Sequence, residues 1–338
     1  MRLEDRSGFV VTNRADAVLA NLLGSLKRFP KKVFAKTMRQ NPYKEQIELL
    51  LEVAERFAAG SNFVLKGGDA INLFVENMPR VSFDLDYVFG DGSLERTEAL
   101  ERIGNDLKSV CRTLTEEGFR CRMNNAPSKA KCVVSRGKAS VKVEVNTVFR
   151  GTLKPVCLRS LCQRGEVLLG RPLEVSVLDT DELYAGKCVA AFDRQHPRDF
   201  YDVWRLWQRG EAVTESLLDC FVVYLAASNR PMHEVLFCSD RVDESLFHRV
   251  TEATLIEPCT WDDLKDVRRK LKKEIVSSMD SRHRLFLLSV AQAQPQWNLL
   301  PFAGLSSLPA MQWKLRNLEK LAKTDSAKFQ AQSLALEE

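Results

Sequence analysis

The stretch Phe63–Phe89, FVLKGGDAINLFVENMPRVSFDLDYVF, constrains this chain more than any other. Both ends read as strands. Phe63-Val64-Leu65 is a short apolar run broken by Gly67-Gly68, and Val81–Phe89 is rich in alternating β-branched and aromatic residues. Between them the glycine pair opens a helix from Ala70 to about Glu76, with Asp69 as the expected N-cap. In the second strand Asp84 and Asp86 lie two apart, so both carboxylates emerge on one face while Phe83, Leu85 and Tyr87 occupy the other. Two carboxylates so placed repel unless a cation lies between them, and hard oxygen donors suit Mg²⁺.

The glycine pair fits the same chemistry. Glycine lets backbone approach a phosphate, the free N–H groups of a helix start attract its charge, and Lys66 adds a cation. Downstream, KVEVN alternates Lys142, Glu144 and Asn146, and pairing of this strand beside Val81–Phe89 would bring Glu144 in as a third carboxylate. Together these features describe metal-assisted phosphoryl transfer from a nucleotide. A lone D-x-D is also met as a solvated pair, and a lone Gly-Gly as a plain turn; from the residues alone both readings stand.

Around this stretch, Tyr43–Ala59 has helical apolar spacing and stops at Gly60. Glu95–Glu117 reads as a helix, and Phe119–Met123, Lys131–Ser135, Ser140–Val148 and Leu173–Leu178 as strands. From Asp179 the pattern turns helical, with Thr180–Asp193, Arg198–Gln208 and Glu215–Ala227 leading. The expected organisation is an α/β domain over residues 1–178 with N-terminal helices, a helical domain over 179–322, and a poorly ordered tail over 323–338.

With 338 residues, 45% of them hydrophobic, the chain can build a core without disulfide or metal staples. Its nine cysteines form no C-x-x-C pair and its four histidines no ligand spacing, which reads as reduced, packed thiols. No uncharged apolar run approaches the ~20 residues of a membrane helix. The beginning, MRLEDRSGFVV, lacks the apolar stretch of a secretory signal, and the expectation is a soluble cytoplasmic protein without membrane contact. Net charge is only +5, but Lys27–Arg39, Ser128–Lys142 and Lys265–Lys273 concentrate basic residues, as a polyanionic partner would require.

The Phe63–Phe89 segment resembles the signature of the AbiEii-type nucleotidyltransferases, toxin halves of type IV toxin–antitoxin systems that include the mycobacterial MenT toxins. That signature is a Lys-Gly-Gly-Ser/Thr-Ala-Leu turn followed by Pro-Arg-x-Ser-x-Asp-x-Asp. Val141–Leu153 (VKVEVNTVFRGTL) and Glu182–Leu206 (ELYAGKCVAAFDRQHPRDFYDVWRL) are similar to the same family. The resemblance implies a polymerase-beta-like nucleotidyltransferase: a mixed sheet with flanking helices, followed by a helical C-terminal domain. It implies Asp84, Asp86, Lys187 and Asp202 as catalytic residues, with metal, Mg²⁺ or Mn²⁺, on Asp84 and Asp86 supported by Glu144. Lys66, Gly67, Gly68, Ser82 and Glu144 would bind the NTP. Arg198 and Asp199 would support Asp202, and Arg80 would either brace the strand or touch a phosphate.

The implied reaction is transfer of NMP from an NTP to an acceptor hydroxyl, for the MenT branch the 3′ end of tRNA, which blocks aminoacylation and translation; a cognate antitoxin is the implied partner. A small-molecule or protein hydroxyl is the alternative acceptor, and a non-catalytic module binding nucleotide, RNA or antitoxin the alternative class. One position departs from the signature. Asp69 stands where the family has Ser or Thr, an acceptor-only anion at a triphosphate turn.

Overall fold

Seven strands of the computed structural model, β1 (Phe63–Lys66), β2 (Asp84–Phe89), β3 (Arg120–Met123), β4 (Lys131–Arg136), β5 (Ala139–Asn146), β6 (Cys157–Ser160) and β7 (Glu174–Val177), form one mixed sheet in the order β3-β4-β5-β2-β1-β7-β6. The structure describes residues 41–59, 61–124, 130–211, 213–239, 241 and 243–337; the basic stretch Lys27–Arg39, and Lys129 of the second cluster, lie outside them. Pro42–Glu338 form one compact unit.

Helix α1, Lys44–Ala58, buries Ile47, Leu50, Leu51, Ala54 and Phe57, as its apolar spacing requires. It lies across the sheet, where Phe57 stacks on Tyr87 with ring centroids 5.2 Å apart. Strand β1, Phe63–Lys66, runs into α2, which begins at Gly67 and continues from Ile71 to Val75 as a π-helical turn. Asp69 is therefore not the N-cap; it sits inside the first turn, and the cap position falls on Lys66. The helix starts early because Gly67 adopts φ +75°, a left-handed conformation that turns the chain directly out of the strand.

Strand β2 spans Asp84–Phe89, shorter than the alternation over Val81–Phe89 suggested. The preceding residues pair elsewhere: Arg80 bridges Leu255, and Val81 N donates to the carbonyl of Thr254 at 2.8 Å. Helix α3 (Arg96–Glu116) and strands β3 (Arg120–Met123), β4 (Lys131–Arg136) and β5 (Ala139–Asn146) follow as the pattern predicts. Strand β6 (Cys157–Ser160) and helix α4 (Gln163–Leu169) were not anticipated. β6 is an edge strand with no fully buried residue, so it carries no apolar alternation to read. β7 is Glu174–Val177.

The helical half begins with α5 (Thr180–Arg194), capped by Asp179, and α6 (Pro197–Gln208), capped by the Nδ1 of His196. α7 (Glu215–Ala226), α8 (Met232–Leu236), α9 (Trp261–Ser278), α10 (Ser281–Ala291) and α11 (Pro309–Thr324) share one apolar core with α5 and α6. The segment expected as a poorly ordered tail carries α12, Ser326–Glu337, whose Phe329 and Leu336 pack against that core. Leu334, which is exposed, falls off the face that Phe329 and Leu336 share, so the apolar residues of this segment mark no single stripe. Among the described residues no helix is long and apolar enough to cross a membrane.

Candidate active site

The sheet register builds the site. β2 lies between antiparallel β1 and parallel β5, which sets Asp86 opposite Lys66 on one side and opposite Glu144 on the other. With Leu85 and Tyr87 turned toward α1, Asp84 and Asp86 share the opposite face. A Cβ added to Gly67 would lie 3.1 Å from Oδ2 of Asp86, so the glycine turn rests on that carboxylate. Burial pushes the Asp86 carboxyl above its ordinary range; Lys66 opposes this, while Glu144 and Asp84 add to it.

Behind the turn is a buried ion cluster. Arg80 donates Nε and Nη2 to the two carboxylate oxygens of Asp202 at 2.7 and 2.8 Å. Lys187 Nζ lies 2.9 Å from Asp202 and 3.0 Å from Asp199. Arg194 in turn donates Nε (2.5 Å) and Nη2 (2.8 Å) to Asp199. Asp199 and Asp202 are each 1% exposed, Arg80 3% and Lys187 6%. Burial works against both carboxylates, yet Lys187 and Arg194 hold Asp199 well below the usual range, and Arg80 and Lys187 lower Asp202. Lys187 is held above its ordinary value because Asp202 and Asp199 outweigh its own desolvation.

This placement alters several expectations. Lys187 is neither an exposed lysine nor paired with its sequence neighbours Asp179 and Asp181, which bind Lys154 instead. Asp202 is buried, with its oxygens engaged by Arg80 and Lys187. Arg80 braces the strand through that pair. Ser82 lies beside Asp69, whose carboxyl it helps to lower. Asp69 itself is 2% exposed, and burial lifts its carboxyl to about 7 against the pull of Arg80 and Ser82. Arg194 and His196 were not singled out in the sequence. They sit at the α5–α6 corner, where no periodic pattern marks them.

Among the described residues no group of three His, Cys, Asp or Glu side chains stands close enough to hold a metal ion. Glu144 is in register, but Lys131 and Lys142 engage its carboxylate, Lys142 at 3.0 Å. The residues that fit a divalent cation are Asp84 and Asp86: two hard oxygen donors on one face, where a cation would relieve the burial of Asp86 and its repulsion by Asp84.

The basic clusters are partly neutralised. Arg136 pairs with Glu52, Lys265 with Asp262, Arg269 with Asp266 and Lys270 with Glu274, while Lys138, Lys272 and Lys273 are exposed.

A seven-stranded mixed sheet with a glycine turn against a carboxylate pair, backed by helices, is the fold of a nucleotidyltransferase. The same fold occurs in MenT4, a nucleotidyltransferase toxin from Mycobacterium tuberculosis H37Rv, at 16% identity and a TM-score of 0.55 over 79% of this chain and 100% of that one. Two proteins from Helicobacter pylori align less closely. One, provisionally described as a nucleotidyltransferase, gives 15% identity and a TM-score of 0.41 over 71% and 99% of the two chains. The other, JHP933, gives 15% and 0.39 over 70% and 94%. No curated protein matches the sequence significantly. The model of the AbiEii family, described as nucleotidyl transferase toxins of type IV toxin–antitoxin systems, matches residues 48–317. The chain belongs to that family.

Proposed function

We propose that this protein transfers a nucleoside monophosphate from an NTP to an acceptor hydroxyl, in-line at the α-phosphorus, with pyrophosphate leaving. The observation that carries this is the contact of the positive-φ Gly67 turn with Asp86, beside Asp84 and opposite Lys66. The turn's backbone and Lys66 seat the triphosphate. Asp84 and Asp86 orient the reacting centre, where Mg²⁺ or Mn²⁺ held between them would neutralise charge developing on the phosphoryl group. Lys187, fixed by Asp199 and Asp202, keeps a positive charge within reach of Asp86. Glu144 would join the cation only on release from Lys131 and Lys142.

The acceptor we favour is the 3′ end of tRNA. Exposed Lys138, Lys272 and Lys273 and the further basic residues of Lys27–Arg39 support a polyanion over a small molecule. A toxin of this reaction class would act in the cytoplasm with a cognate antitoxin. The test incubates purified protein, Mg²⁺ and total tRNA with each α-labelled NTP in turn. Label enters tRNA with the intact protein and not with Asp86→Ala; transfer that survives the substitution defeats the assignment. Nucleotide binding without transfer points to another acceptor or a missing activator; neither transfer nor binding moves the reading to a non-catalytic module.

A further inference from the structure

A cavity of about 470 Å³ opens between the loop leading into α3, the end of β5 and the start of α11. Gly151 N donates to the carbonyl of Phe89 at 2.8 Å, which ties this cavity to the C-terminal end of β2. Asp84 begins that strand, so the two places are roughly 17 Å apart at about 3.3 Å per residue.

Its chemistry is that of an anion site. Arg96, Arg150 and Arg316 line it, against one carboxylate, Glu95. Arg150 is 3% exposed. Its Nη1 donates to the carbonyl of Thr147 (3.1 Å) and its Nη2 to that of Leu94 (3.4 Å), while its Nε, itself covered, has no hydrogen-bond partner among the described residues. Among the described residues this buried guanidinium is satisfied by carbonyls, with Glu95 as its nearby counter-charge against the like charge of Arg96, so an anion would add to its stabilisation. Burial and the neighbouring Arg96 push the Arg150 charge toward the neutral form, with Glu95 opposing. The N-terminus of the 21-residue helix α3, which has no side-chain cap, opens at the same wall. Half-buried Trp313 supplies a flat apolar surface beside these groups.

We infer that this cavity binds a nucleoside 5′-monophosphate, its phosphate on Arg150 and Arg96 and its base against Trp313. Guanidinium forks match phosphate oxygens, and an indole face takes any base by stacking. The volume falls within the roughly 300–1,000 Å³ of small-ligand sites. The wall joins the sheet to α11, so an occupant bridges the two. The inference does not rest on the transfer reaction.

Equilibrium dialysis with labelled AMP tests it, on the full chain carrying Asp84→Ala and Asp86→Ala to suppress binding at the aspartate face. AMP binds, and adenosine and inorganic phosphate bind at least about tenfold more weakly. In the same background Trp313→Ala and Arg316→Ser, at positions that are not fully buried, each weaken AMP about fivefold or more without changing the melting temperature. Absence of AMP binding at millimolar concentration, indifference to both substitutions, or phosphate binding as tightly as AMP each overturns the inference. Asp86-dependent transfer to tRNA, measured separately, is unaffected by that failure.

Discussion

Asp202→Asn is the sharpest probe of the cluster behind the glycine turn. The substitution keeps the shape of the side chain but removes one of two carboxylates that face Arg80, Lys187 and Arg194. Lys187 retains Asp199 at 3.0 Å. Arg80 recovers only in part: it keeps one bond to the amide oxygen, one to the carbonyl of Val81 at 3.2 Å, and the nearby charge of Asp69, but at 3% exposure water cannot replace the lost carboxylate. The new amide also presents N–H donors to a guanidinium that can only donate. Breaking one side of a buried ion pair costs about 3–5 kcal/mol. That is a large share of the ~5–15 kcal/mol that holds a typical domain together. Urea unfolding of the wild type, Asp202→Asn, Arg80→Met and the Arg80→Met/Asp202→Leu double variant measures it. Each single variant loses about 3 kcal/mol or more, and the double loses clearly less than their sum, because an apolar pair needs no charge compensation. A loss under ~1 kcal/mol for Asp202→Asn, or strict additivity, would refute the argument.

Gly68→Ala attacks the same cluster from the turn. Its Cβ would lie 2.7 Å from Nη2 of Arg80, an atom Asp202 holds in place, so about 1–3 kcal/mol is lost. The same change at Gly118, with φ +89° and nothing within 4 Å, loses only ~1 kcal/mol of backbone strain; equal losses in thermal melts would sink the distinction. Glu182 is fully buried and burial lifts its carboxyl to about 7, although Leu153 N, Lys154 N and the Tyr224 hydroxyl donate to it. The unfolded chain releases this proton first, near 4.5, so stability relative to Glu182→Gln falls as pH rises from about 4.5 to about 7, by up to roughly 3 kcal/mol. A pH-independent difference between the two proteins in urea titrations would contradict the assignment. Lys142→Met loosens the hold on Glu144 and lowers the Mg²⁺ concentration that half-saturates transfer; an unchanged Mg²⁺ titration removes Glu144 from the metal set.

How far the sequence carried the site depends on where each residue's partner lies. Asp84 and Asp86 were legible because their relation is set within one strand, by a period of two. The Glu144 position needed only one further condition, that KVEVN pair beside that strand, and the register meets it with Asp86 opposite Glu144. Arg80 and Asp202 are 122 residues apart, and no local pattern says that a guanidinium before β2 meets a carboxylate on α6. The loop ahead of β2 shows the same limit. Its alternation continues from Val81, but Thr254 and Leu255 from the helical half take its backbone partners, so the strand starts at Asp84.

Asp69 shows how such long-range partners change the meaning of a departure from a motif. Judged beside Gly68 alone, it is a fixed negative charge at a phosphate turn. Packed against Arg80 and Ser82 at 2% exposure, it is part of the layer that supports the turn from behind. Its carboxyl titrates near 7, and one oxygen, Oδ2, has no hydrogen-bond partner. A hydroxyl there would leave Arg80 to Asp202 alone; the carboxylate adds a second acidic neighbour to a buried guanidinium. The acid therefore sits one layer below the turn, where its charge is set against that of Arg80.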